Sequence, residues 1–139
     1  KTFDTQDGHG IKMLQSAGIE VAIITGRTTA LVQRRAANLK IKHLLQGRED
    51  KLVALKELIT ELGYELEEVA YVGDDWPDLP AILASGLGIA VANAHSELRT
   101  RADHVTTLTG GRGAVREVCD LLLHAQDRYS AALAPYLAI

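Results

Sequence analysis

The stretch Val69-Ala70-Tyr71-Val72-Gly73-Asp74-Asp75-Trp76-Pro77-Asp78 constrains the fold more than any other part of the chain. A short apolar run with β-branched residues, closed by glycine and followed by aspartates, reads as a buried parallel strand whose C-terminal end is acidic. In open α/β sheets, ligands bind in the crevice beyond the strand C-termini, and adjacent carboxylates there suit a hard cation such as Mg²⁺. The same residues also suit a plainer part, in which Asp74 and Asp75 stop the strand and Asp78 caps the next helix.

Runs of the same kind recur along the chain. Glu20–Thr25, Ile41–Leu45 and Leu87–Val91 read as further strands, and Ala102–Val105 as a brief edge strand. Helical patterns lie between them. Ile11, Met13, Leu14 and Ala17 follow a turn cluster at Asp7-Gly8-His9-Gly10 and end at Gly18. Thr28 or Thr29 caps a helix to Leu39 that turns Leu31, Val32, Ala36 and Leu39 inward. Asp50 caps another, with Leu52, Leu55, Leu58, Ile59 and Leu62 on one stripe and Gly63 just past its end. Pro77 fits the first turn of a helix reaching Ser85, and Asn93-Ala94-His95-Ser96 opens a short one. Gly110-Gly111-Arg112-Gly113 could cradle a phosphate but lacks a preceding Walker or dinucleotide fingerprint, so it reads rather as a structural turn before a helix from Ala114 to Arg128, striped by Val115, Val118, Cys119, Leu122 and Ala125. The tail Ala131–Ile139 is apolar and contains Pro135, which makes it a poor helix end suited to packing on a partner. This alternation predicts an α/β fold: a Rossmann-like three-layer sandwich with a mostly parallel sheet, in one domain over residues 1–139.

At 139 residues and 47% apolar content, the chain can bury a real core. A net charge of −3 and a pI near 5.9 give no electrostatic reason for a nucleic-acid or anionic-membrane partner, and 4% aromatic content argues against a base-stacking surface. No apolar run approaches the roughly 20 residues of a membrane span, and no leader segment is read, so a cytoplasmic location is expected. Cys119 is the single cysteine and has apolar helical neighbours, so it is expected in the core. Lys51 opens its helix against the macrodipole, which suits an anion ligand better than it suits the helix, although exposed lysines occur everywhere.

Three features thus meet at strand C-terminal ends: Thr25-Gly26-Arg27, the loop before Lys51, and the Asp74, Asp75, Asp78 group. Together they suggest phosphate chemistry, with a hydroxyl and a lysine on phosphoryl oxygens and a carboxylate-bound cation opposing the developing charge. In this order they resemble the second, third and fourth motifs of the haloacid dehalogenase superfamily of phosphotransferases. The resemblance narrows along nearly the whole chain. Asp7-Gly8-His9-Gly10-Ile11, Val21-Ala22-Ile23-Ile24-Thr25-Gly26-Arg27, Gln46-Gly47 with Lys51, Ala70-Tyr71-Val72-Gly73-Asp74-Asp75 and Gly110-Gly111-Arg112-Gly113-Ala114-Val115-Arg116-Glu117-Val118-Cys119-Asp120-Leu121 are similar to the 3-deoxy-D-manno-octulosonate 8-phosphate phosphatase family.

That resemblance implies Mg²⁺-dependent hydrolysis of the sugar acid phosphate, a step toward lipopolysaccharide, by a homo-oligomer, usually a tetramer, without a large cap domain. It implies Asp74 as a direct Mg²⁺ ligand supported by Asp75 and Asp78, with Thr25 and Lys51 holding the transferring phosphoryl group. It also implies that Asp4, Thr5, Gln6, Asp7 and Gly8, with Lys12, Arg27, Arg35 and Lys51, face the substrate, partly across a subunit boundary. Those cations suit an anionic sugar acid phosphate in an otherwise acidic chain.

One departure stands out. The family's first motif, Asp-x-Asp-Gly, supplies the aspartate nucleophile, and this sequence does not contain it. Neither Asp4 nor Asp7 follows an apolar strand, so neither replaces it; Lys1-Thr2-Phe3-Asp4 instead resembles the returning strand of the hairpin that follows the motif. The strand so absent lies between the Thr25 and Asp74 strands in the family's sheet, and each unpaired buried backbone group there would cost on the order of 1–3 kcal/mol. These residues are therefore expected to come from a longer protein and not to turn over by themselves. Taken literally, the same residues fit a catalytically inactive relative that binds a phosphorylated ligand or a partner. The phosphatase-like tail of a larger sugar-activating enzyme and a phosphatase of a related nonulosonate phosphate are further alternatives. A dinucleotide-binding module is disfavoured, because no Gly-x-Gly-x-x-Gly follows a strand.

Overall fold

In the computed structural model, which describes residues 4–138, each apolar run becomes a strand only where a parallel neighbour completes its ladder. β1 (Ala22–Ile24) pairs β2 (His43–Leu45), from Ala22 opposite His43 to Ile24 opposite Leu45. β3 (Ala70–Gly73) pairs β4 (Leu87–Ala90), which in turn pairs β5 (His104–Val105). All these ladders are parallel, as the α/β reading requires, but they form two sheets, β1-β2 and β3-β4-β5. Among the described residues, β1 and β3 are not hydrogen bonded to each other, so the expected sheet is interrupted between the strands that carry Thr25 and Asp74. The hairpin strand expected at the N-terminus falls on Lys1-Thr2-Phe3, which lie outside the described residues.

The helices are α1 (Thr5–Ser16), α2 (Ala30–Asn38), α3 (Lys51–Leu62), α4 (Leu79–Ala84), α5 (Ser96–Arg101), α6 (Ala114–Ala125) and α7 (Tyr129–Leu137). α1 corrects the turn expected at Asp7-Gly8-His9-Gly10. Asp4 caps it, accepting from the N–H of Gln6 at 2.8 Å and of Asp7 at 3.3 Å, so the helix starts before the glycines. Glycine inside a helix costs about 1 kcal/mol against alanine. Close packing offsets that cost here, because a Cβ at Gly10 would stand 3.0 Å from the Cβ of Cys119 on α6.

Thr29, not Thr28, caps α2, its hydroxyl accepting from the N–H of Val32 at 3.1 Å. Leu31 was expected inward but is 44% exposed; at about 100° per residue it points roughly a quarter-turn away from the face shared by Ala36 and Leu39. Asp50 stands at the start of α3 without capping it, because Arg48 takes both its oxygens at 2.9 Å. α3 does end at Gly63 in the left-handed conformation, φ 82°. Pro77 sits in a 3₁₀ turn, Trp76–Asp78, that runs directly into α4.

α6 stops at Ala125 rather than Arg128; its stripe adds buried Leu123, one turn from Cys119, keeps Val115 and Leu122 partly covered against that core, and leaves Ala125 exposed. The tail, expected to be a poor helix, forms α7 with Pro135 inside it, and Tyr129 and Ala132 of α7 pack against Leu14, Cys119 and Leu123. The main core lies between α3, α4, α5 and the β3-β4 sheet, and includes Leu55, Ile59, Tyr71, Ile82 and Leu98. A smaller one, Ala36, Leu39 and Ile41, supports β1 and β2. Among the described residues the chain runs through these layers without an inserted cap domain, and no helix is long and apolar enough to cross a membrane.

Candidate active site

Asp78 is the centre of the acidic end of β3, and it is 3% exposed. A buried carboxylate needs partners, and the local fold supplies four of them. One oxygen, Oδ1, accepts from Lys51 Nζ at 2.9 Å and from the Tyr71 hydroxyl at 2.8 Å. The other, Oδ2, accepts from the backbone N–H of Asp74 at 2.9 Å and of Asp75 at 3.3 Å. Gly73 makes room for this arrangement, since a Cβ there would lie 2.4 Å from the Cβ of Asp78. Burial alone would raise the proton affinity of Asp78. The hydrogen bonds from Asp74, Lys51 and Tyr71 outweigh it and hold the carboxyl below the usual range, so it stays ionised.

Its neighbours respond in the opposite sense. Burial first, and then the charge of Asp78, push the Tyr71 phenol well up, so it stays a donor. Asp74 lies at the surface, yet its carboxyl is drawn up by loss of solvent first and by the adjacent Asp78 next, with Lys51 acting the other way. A carboxylate in that position favours any nearby cation, and the donors around it are hard oxygens. Among the described residues no three acidic, histidine or cysteine side chains gather to form a metal cage. Asp78 is saturated by its own hydrogen bonds, and Asp75 Oδ1 accepts from the N–H of Trp76 at 2.8 Å. Asp74 could hold a cation with its carboxylate, and Asp78 would support it through the backbone rather than with an open oxygen. Mg²⁺ fits such a donor set, because it commonly keeps waters and takes one or two carboxylates together with phosphate oxygens.

The rest of the expected set divides. Thr25 follows β1, and its hydroxyl accepts from the N–H of Arg27 at 3.2 Å. Ile24 and Leu52, the neighbours of Thr25 and Lys51, pack against the same core as Val72 of β3. Arg27 is exposed. The Arg35 guanidinium occupies the space beside Gly8 where a side chain would stand. Thr5 and Gln6 are exposed at the start of α1. Asp7 is buried, and its Oδ1 accepts from the N–H of Arg116 at 2.8 Å, so it caps α6, whose own cap position is Gly113. Lys12 lies elsewhere in this chain, in a groove with Gln15, Ile19, Val21, Leu39 and Lys42 beside the N-terminal ends of β1 and β2.

Sequence reading passed over Tyr71, whose strand alternation puts it on the same face as Gly73, and the pair Trp76 and His95, joined by a 3.1 Å hydrogen bond. It also passed over Glu49, whose carboxylate stands against Gly26.

Parallel strands followed by a threonine, a lysine and aspartates at their C-terminal ends fit the phosphoryl-transfer class of protein. Residues 43–118 match the haloacid dehalogenase-like hydrolase family. The 3-deoxy-D-manno-octulosonate 8-phosphate phosphatase of Yersinia pestis is 52% identical over 132 residues, covering 95% of this chain and 71% of that protein. The crystal structure of a probable YrbI-family phosphatase from Pseudomonas syringae is 56% identical with a TM-score of 0.99, covering 100% of this chain and 79% of that one. That of the Moraxella catarrhalis 3-deoxy-D-manno-octulosonate 8-phosphate phosphatase, holding a magnesium ion, a phosphate ion and a KDO molecule, is 51% identical with a TM-score of 0.96, over 98% of this chain and 78% of that one. The chain belongs to the haloacid dehalogenase-like hydrolases and, within them, to the 3-deoxy-D-manno-octulosonate 8-phosphate phosphatase family.

Proposed function

We propose that this protein hydrolyses 3-deoxy-D-manno-octulosonate 8-phosphate to 3-deoxy-D-manno-octulosonate and phosphate with Mg²⁺, as a cytoplasmic step toward lipopolysaccharide. The observation that carries this reading is the network in which buried Asp78 fixes both Lys51 and the backbone of Asp74 at the C-terminal end of β3. Asp74 would hold the metal, which supplies positive charge against the phosphoryl oxygens when bound. Lys51, aimed by Asp78, and the Thr25 hydroxyl would hold phosphoryl oxygens, so charge developing in transfer meets partners already in place. Arg27 and Arg35 would meet the sugar acid, together with the segment Asp4–Gly8. The nucleophile would come from a strand between β1 and β3, where the sheet is interrupted.

Lys12 lies away from the strand ends of its own chain, so its expected role would be played at a neighbouring subunit. A homo-oligomer, in particular a tetramer, is proposed on that ground. The exposure of Tyr136 (66%) and Leu137 (69%) on α7 also supports an assembly that covers them.

The test is phosphate release by the full-length protein from the sugar acid phosphate and from a panel of other sugar phosphates, with and without a chelator. Fastest turnover of the octulosonate phosphate, abolished by chelation and restored by Mg²⁺, is expected. Binding without release of phosphate from any member of the panel would replace this reading with an inactive relative. Lys51→Ala should slow every phosphomonoester, p-nitrophenyl phosphate included, while Arg35→Ala should act mainly on the sugar acid.

A further inference from the structure

Trp76, the chain's one tryptophan, directly follows the acidic pair and is 62% exposed. An exposed indole is ordinarily left to rotate, but this one is tied down. Its Nε1–H donates to His95 Nδ1 at 3.1 Å, and the two rings meet edge to face with centroids 5.3 Å apart. The same Nδ1 accepts from the N–H of Glu97 at 3.1 Å, as the N-cap of α5. One ring nitrogen thus serves both N–H groups, sharing its lone pair between the indole and the first turn of α5. The backbone N–H of His95 in turn donates to the carbonyl oxygen of Asp74 at 2.9 Å. Asp74 is therefore gripped from both sides: Asp78 holds its N–H, and His95 holds its carbonyl and, through the indole, the residue two positions on.

We propose that Trp76 and His95 are positioning residues that clasp the β3 loop to the β4–α5 loop and set the Asp74 carboxylate for a small divalent cation. This rests on the reading of Asp74 as the metal ligand. Mg²⁺ demands near-ideal octahedral geometry, so a ligand carried on an exposed loop binds it well only if the loop is fixed beforehand. The pair needs no contact with substrate to do this. It acts through the main chain of Asp74.

Calorimetric titration of Mg²⁺ alone into the metal-free full-length protein tests the clasp. Trp76→Phe keeps the ring and loses the donor; His95→Leu loses the acceptor; His95→Asn offers Oδ1 in place of Nδ1 and remains a good N-cap. The Mg²⁺ dissociation constant is expected to rise about tenfold in Trp76→Phe and His95→Leu, the lower end of what outer-shell partners of a metal ligand contribute. In His95→Asn it should stay within about twofold of wild type. Trp76→Phe leaves the α5 cap intact, so weaker binding in that variant is not a consequence of a loosened helix. Unchanged Mg²⁺ binding in Trp76→Phe and His95→Leu, while Asp74→Asn binds poorly, overturns the clasp and leaves the metal site standing. If Asp74→Asn binds Mg²⁺ like wild type, the metal reading fails and the clasp falls with it.

Discussion

β4 and β1 are the same kind of apolar sequence in different surroundings. Gly88, Ile89 and Ala90 of β4 are buried, whereas Ala22 of β1 is exposed and Ile23 and Ile24 are only partly covered. β4 lies between β3 and β5, while β1 is paired with β2 on one edge. The comparison teaches that a run suited to burial on every side is finished only when both its edges are. Among the described residues β3, like β1, has one unpaired edge, so the contrast at the site lies in the side chains: Asp78 and Lys51 are locked by buried hydrogen bonds, whereas the Thr25 hydroxyl at the end of β1 accepts from the N–H of exposed Arg27.

The largest effect expected from this contrast is at Asp78. Asp78→Ala removes the partner of a mostly buried lysine, whose side chain is 16% exposed, and orphans the Tyr71 hydroxyl. Breaking such a pair from one side costs about 3–5 kcal/mol, and urea denaturation should show it. Thr25→Ala at the end of β1 should cost no more than about 1 kcal/mol; equal losses would break the comparison. Core truncation sharpens it further. Ile89→Ala should cost about 2–5 kcal/mol and Ile23→Ala clearly less, because the second side chain already meets solvent. Tyr71→Phe removes one donor to Asp78 and should cost about 1 kcal/mol.

The smallest signal is that of Cys119. Burial first, then Asp120 and Asp7, push its thiol up to about 12 from the ordinary 9.0, so it should resist thiol reagents until the protein unfolds. Because the folded state holds the proton more tightly, this contribution to stability is complete below the ordinary value and lost as pH climbs through the folded one. Rapid labelling at neutral pH would contradict it.

The sequence made the strands, the helices and the three strand-end motifs legible, since periodicity and caps are local. Partnerships across the chain were not legible. Whether Asp78 would be a ligand or a hub depended on Lys51, 27 residues away, and Asp7 became the cap of α6 through an N–H 109 residues along. Asp7-Gly8-His9-Gly10 carries turn residues, yet lies in a helix because packing against Cys119 and Arg35 requires residues without side chains there. The Trp76–His95 bond had no periodic signal at all.

The most direct measurement is the Mg²⁺ dependence of phosphate release by full-length wild type and Asp74→Asn, with the octulosonate phosphate as substrate. Saturable activation in wild type and a loss of about a hundredfold or more in the variant at saturating Mg²⁺ is the expected result. Wild-type turnover by Asp74→Asn at the same Mg²⁺ concentration would contradict the assignment of the metal, and with it the phosphoryl chemistry placed at the end of β3.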